Sequence, residues 1–89
     1  MTDSNDALAT RRKRLLYQSA HRGTQEADLL IGGFAAQYLL TLSTPQLDEF
    51  ERLLDENDVD LVNWLTGRAV APDDLQGEIL ELLKNFKLK

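Results

Sequence analysis

AHRGTQEADLLIGGFAAQYL, residues 20–39, carries the clearest periodic pattern in the chain. Ala27, Leu30, Ile31, Phe34, Ala35, Tyr38 and Leu39 fall at i, i+3, i+4, i+7, i+8, i+11 and i+12. That spacing follows the turn of an α-helix and gathers the apolar side chains into one stripe. A half-buried strand would alternate with period 2, and no such alternation is sustained anywhere in the sequence. Gly32 and Gly33 interrupt the stripe at about 1 kcal/mol each relative to alanine. A glycine pair kept inside a helix predicts that another element packs very close to it.

Working upstream, Gly23 ends a first helix expected from Asp6 to Ala20, with Leu8, Leu15 and Leu16 inward and Arg11-Arg12-Lys13-Arg14 on the wet face. Glycine takes positive φ at no steric cost, and Glu26 suits the positive end of the next helix. Downstream, LSTPQLDEFERLLDE predicts a third helix. Thr44 is its expected N-cap, Pro45 its first residue, Asp48 and Glu49 complement its dipole, and Leu47, Phe50, Leu53 and Leu54 form its buried stripe. A fourth helix starts at Asn57 or Asp58 and stops at Gly67, with Leu61, Val62, Trp64 and Leu65 on its apolar face. Trp64 on that face reads as core. Asp73, with Gln76 three residues on, gives a capping-box pattern for a fifth helix whose stripe is Leu75, Ile79, Leu82, Leu83 and Phe86. The fold class expected is all-α, a compact bundle of five short helices. It forms one domain over residues 1–89, with 1–5 and 87–89 as flexible ends.

Eighty-nine residues allow one small domain of limited stability. The chain has no cysteine, which removes disulfides and thiolate metal sites and fits a reducing compartment. It has no apolar run of 18 residues, and MTDSNDALATRRKR has no apolar signal-peptide core. Asp3 and Asp6 speak against a mitochondrial presequence. A cytoplasmic bacterial protein is expected.

Net charge is −5, and it is unevenly spread. Residues 1–22 hold five basic side chains against Asp3 and Asp6, while residues 23–83 hold thirteen acids against Arg52 and Arg68. A basic front joined to an acidic body suits electrostatic steering onto a protein partner and repels nucleic acid over most of the surface.

Catalytic groupings are scarce. His21 is the only histidine, and Ser19 two residues before it would point elsewhere on a helix. Gly32-Gly33 lies within a helix and is no nucleotide fingerprint. The carboxylates are spread over helix faces, where solvation explains them. Neither an enzyme nor a metal site is expected. Arg11–Arg14 raises the rival reading of a small helix-turn-helix-like DNA-binding regulator, or an antitoxin-type interaction module. The cluster Arg22-Gly23-Thr24-Gln25-Glu26 is on these grounds either a loop-to-helix junction or a working surface.

Two blocks of residues then carry a resemblance. Arg22, Gly23 and Glu26, an R-G-x-x-E motif, are followed by Asp28 and Leu29. Farther on stand Leu47, Phe50, Leu53, Leu54, Asp58, Leu61, Trp64, Leu65 and Gly67. At this spacing, over roughly Arg11 to Leu83, the chain resembles the FAD assembly factor family of succinate dehydrogenase, which includes SdhE-type bacterial proteins and mitochondrial counterparts. The resemblance implies a five-helix bundle that is not itself an oxidoreductase. It implies binding to the flavoprotein subunit of succinate dehydrogenase, and in some members of fumarate reductase, to promote covalent attachment of FAD to a histidine of that subunit. FAD is then the partner's cofactor, with none bound stably by this chain, which is expected to be monomeric when free. The motif residues Arg22, Gly23 and Glu26, with His21 and Asp28 beside them, are the partner-binding residues it implies. Thr24 and His21 depart from residues common in the family. On this reading Arg22 makes a forked contact with the partner, Gly23 admits its backbone, and Glu26 orients Arg22 or accepts a bond from the partner.

Overall fold

Gly23 and Gly67 are the two glycines with left-handed backbone, φ +113° and +81°, and each follows the end of a helix. The structure, a computed structural model, describes residues 3–86. Residues 1–2 and 87–89, parts of the expected flexible ends, lie outside the described residues. Helix α1 spans Asp3–Ala20, so it begins earlier than Asp6 and takes in residues 3–5. After Gly23 the chain turns into α2 (Gln25–Ala27), a π-helical turn (Asp28–Gly32), α3 (Gly33–Tyr38) and a 3-10 turn (Leu39–Thr41) without a break. Helix α4 (Thr44–Leu54), α5 (Asp58–Leu65), a 3-10 turn (Asp73–Leu75) and α6 (Glu78–Asn85) complete the order. Taking the unbroken path 25–41 as one rod, the described residues form five helical rods and no strand. The all-α bundle stands.

The glycine pair behaves as its placement implies at Gly32. A Cβ there would lie 3.0 Å from Ala20 Cα and 3.3 Å from the Ser19 carbonyl oxygen, so α1 ends directly against the π turn. Ser19 is fully buried and its hydroxyl donates to the Leu15 carbonyl (2.7 Å). It is therefore turned away from any partnership with His21. The π turn inserts a residue into the helical register. Ile31 and Gly32 are both buried before Phe34 and Ala35 resume the stripe.

Packing joins α1 to the π turn and α3, α4 to α6, and α5 to α2 and α6. Phe34 stands at the centre, with Phe50 and Phe86 ring centroids 5.8 and 5.9 Å away. Trp64 is buried, as its apolar face implies.

Five expectations are corrected. Leu16 is 40% exposed: Leu8 and Leu15, seven apart, share the inward face, and one further residue rotates Leu16 off it. Tyr38 and Leu82 also reach solvent, and Leu80 takes the inward place assigned to Leu82, because α6 lies between α4 and α5. The N-cap of α4 is Ser43 and not Thr44. Ser43 Oγ accepts from the Gln46 amide (3.4 Å) while Gln46 Oε1 accepts from the Ser43 amide (2.8 Å), a reciprocal pair that Thr44 cannot form with Gln46. Asp73 opens only a 3-10 turn; α6 starts after Gly77 and is capped from another helix. Glu49 of α4 accepts from the Ile79 amide (2.8 Å), and a Cβ on Gly77 would collide with the Glu49 carboxylate.

Candidate functional site

Helix α4 ends with carbonyls that have no partner further along the helix, and α5 begins three residues beyond its C-cap, Asp55. Arg22 closes this corner. Its Nη1–H donates to the Leu54 carbonyl (2.6 Å), its Nη2–H to the Glu56 carbonyl (2.6 Å), and its Nε–H to Asp58 Oδ1 (2.8 Å). A cation at the C-terminal end of α4 also complements that helix's dipole. The Arg22 side chain is only 10% exposed and that of Asp58 18%, so this is a largely desolvated, hydrogen-bonded pair. From the other side, Asp28 Oδ1 accepts from the Arg22 amide (2.6 Å), tying the π turn to the loop.

The forked contact expected of Arg22 toward a partner is thus made inside the chain. Its orienting carboxylate is Asp58, not Glu26, which makes no side-chain hydrogen bond or ion pair among the described residues. Asp28 likewise turns its carboxylate to the chain's own backbone. The five expected site residues do come together, but with divided roles. Arg22 and Asp28 brace the junction; His21, Gly23 and Glu26 lie exposed on it. Gly23 is held at φ +113°, a conformation L side chains rarely adopt, and a Cβ added there would lie 3.8 Å from Asp58 Oδ2. His21 Nδ1 lies 2.9 Å from the Tyr17 carbonyl, and its ring stacks on Tyr17 at 3.9 Å between centroids. Tyr17 is itself 58% exposed, so the stack is part of the surface.

Two open clefts flank the junction and share Asp58. One is lined by Gln18, His21, Arg22 and Asp55. The other is lined by Thr24, Glu26, Val59, Asn63 and Arg68. Thr24 caps α2 through Oγ1, which accepts from the Ala27 amide (3.3 Å). Sequence reasoning missed this role, though a threonine three residues before a buried alanine is an N-cap signal. It also missed Asp58 as the partner of Arg22, for which no local signal exists.

The basic cluster is largely spent within the molecule too. Arg11 bonds Asp48 (2.6 Å) and Glu51 (2.9 Å), and Arg14 bonds Glu51 (2.8 Å). Its hydrogen bonds to the accepting carboxylates of Asp48, then Glu51, hold the Arg11 guanidinium above its ordinary pKa. Half the cluster expected on the wet face is therefore turned to the acids of α4, which leaves no continuous basic face for DNA. Among the described residues no group of three or more His, Cys, Asp or Glu is placed to hold a metal ion, and no helix is long and apolar enough to cross a membrane.

The family model described as "Flavinator of succinate dehydrogenase" matches residues 13–87. The chain belongs to this family. Among curated relatives, "Succinate dehydrogenase assembly factor 2, mitochondrial" of Danio rerio is 44% identical over 85 residues, covering 93% of this chain and 54% of that protein. The protein of the same name from Dictyostelium discoideum is 40% identical over 74 residues, 83% of this chain and 52% of the relative. "FAD assembly factor SdhE" of Acetobacter pasteurianus is 41% identical over 71 residues, 80% of this chain and 65% of the relative. This chain spans about half the length of the mitochondrial relatives it matches. Within the flavinator fold, the second resemblance block is mostly packing: Leu47, Phe50, Leu53, Leu54, Leu61 and Trp64 are all buried. Of the two blocks, it is the junction that offers exposed polar chemistry.

Proposed function

We propose that this chain is an assembly factor that docks on the flavoprotein subunit of succinate dehydrogenase through the α1–α2 junction and promotes its covalent flavinylation. Membership of the flavinator family supports the partner, and one structural observation supports the docking surface. His21, Gly23 and Glu26 are presented outward by a junction whose cation Arg22 and carboxylates Asp28 and Asp58 are committed within the chain. Glu26 keeps an unshared carboxylate at the surface, and the glycine leaves room for a partner's backbone. Arg22 and Asp28 act as positioning residues that hold this display rigid.

The chain works in this reading without catalytic groups of its own. It binds one conformation of the subunit better than others, and that difference in affinity shifts the subunit toward the arrangement in which FAD and its acceptor histidine meet. FAD belongs to the partner throughout, the free chain is a monomer, and the absence of cysteine suits a reducing compartment such as the bacterial cytoplasm. The flavoprotein subunit of fumarate reductase is a second client within the same proposal.

Capture on the immobilised chain, with in-gel flavin fluorescence, tests this. The chain should retain the purified subunit, and the subunit made without it should lack covalent flavin fluorescence after denaturing electrophoresis. A subunit that is fully fluorescent without the chain overturns the proposal.

A further inference from the structure

Helix α1 presents two different faces. At 100° per residue, Arg11 and Arg14 fall on one side and Ala9, Lys13 and Leu16 on the opposite side. The first side meets the acids of α4. The second forms, with α3 and the 3-10 turn after it, a groove of about 260 Å³ whose walls include Ala9, Leu16, Ala36 and Leu40. Leu16 is 40% exposed and Leu40 79%, so large apolar side chains stand open to solvent there. Arg12 and Lys13 also line the groove. Neither has a carboxylate partner among the described residues, unlike Arg11 and Arg14 on the other face. Arg12 Nη2–H donates to the Leu42 carbonyl (2.9 Å), but its Nε–H is shielded from solvent and finds no acceptor.

We propose that this groove is a second docking surface, and that it takes an apolar segment bearing carboxylates from a protein partner. Charge complementarity selects the occupant. In a chain of net charge −5, two cations without carboxylate partners among the described residues, beside an apolar trough, attract an acidic amphipathic segment, whose apolar side would cover Leu16 and Leu40. The chain's own end, Lys87-Leu88-Lys89, carries the wrong charge. An anionic membrane would be repelled by the acidic body, and a concave trough fits a rod better than a plane. A second copy lacks free acids on α4, because Asp48 and Glu51 are paired. The inference rests on the proposed function only in taking the flavoprotein subunit as one probe.

The full chain, labelled with 15N, is titrated with a synthetic amphipathic peptide of Leu and Glu, the same peptide with Lys for Glu, and phosphatidylserine vesicles. In parallel, subunit affinity is measured for Lys13→Glu, Lys13→Arg and Leu40→Glu, all at exposed positions where Tm should hold. The Leu/Glu peptide alone should shift amides at 9–16 and 35–40. Lys13→Glu and Leu40→Glu should weaken subunit binding at least about tenfold, while Lys13→Arg keeps it. A response to vesicles but not to the Leu/Glu peptide overturns the proposal, and so does self-association as the groove's sole response. If the wild-type chain retains no subunit while the Leu/Glu peptide still shifts the groove, the groove stands and the proposed function falls. If Gly23→Arg abolishes capture, both glutamate variants capture normally and the peptide shifts nothing, the function stands and the groove is refuted.

Discussion

Arg22 at the junction donates to Asp58 and to two carbonyls of the α4–α5 corner, whereas Lys13 in the groove meets no carboxylate among the described residues. Both lie in the basic front of the chain, and composition treats them alike. Their surroundings do not. A guanidinium with three acceptors and little exposure fixes geometry; an ammonium beside open leucines is left to meet something else. The distinction separates residues that shape the surface from residues that touch a partner. It gives each class its own signature under mutation.

The largest effect is expected at Arg22. Arg22→Ala leaves Asp58 and two carbonyls without their donor, at a cost of about 3 kcal/mol, and should lower Tm by more than about 10 °C in calorimetry. An unchanged Tm would move Arg22 back to the partner-contact class. Gly32→Val should follow at about 2 kcal/mol, because its Cβ meets Ala20 backbone and not a yielding side chain. Chemical denaturation reads that loss, and a neutral result would mean that α1 can shift along the π turn. Arg11→Ala, on the half-exposed face toward α4, should cost at most about 1 kcal/mol and lose its effect in 1 M salt. A salt-independent loss would point to packing of its aliphatic stem.

What was legible in the sequence divides along similar lines. The 3.6-residue stripe of 27–39, the Gly23 and Gly67 stops and the buried Trp64 are local facts, set by period and backbone freedom. The close approach at the glycine pair was legible too, although the element it meets was not. Helix ends finished from a distance were opaque. Glu49 caps α6 across 30 positions, and Arg22 closes α4 from 32 positions earlier. A local capping rule therefore chose Asp73, which opens only a 3-10 turn. The candidate site was legible as a place but not as a division of labour. The motif located Arg22, Gly23 and Glu26 together, while the inward turn of Arg22 depends on Asp58, far along the chain and adjacent only after folding.

Glu26→Ala has the smallest expected effect on the fold and the largest consequence for the proposed role. Its side chain makes no hydrogen bond among the described residues, so stability should stay within about 0.5 kcal/mol of wild type. Covalent flavin fluorescence of the subunit is then compared for wild type, Arg22→Ala and Glu26→Ala at a temperature where all three are folded. Loss of flavinylation by Glu26→Ala at unchanged Tm, with Arg22→Ala losing both, is the predicted result. Full flavinylation supported by folded Glu26→Ala would contradict a partner-facing junction.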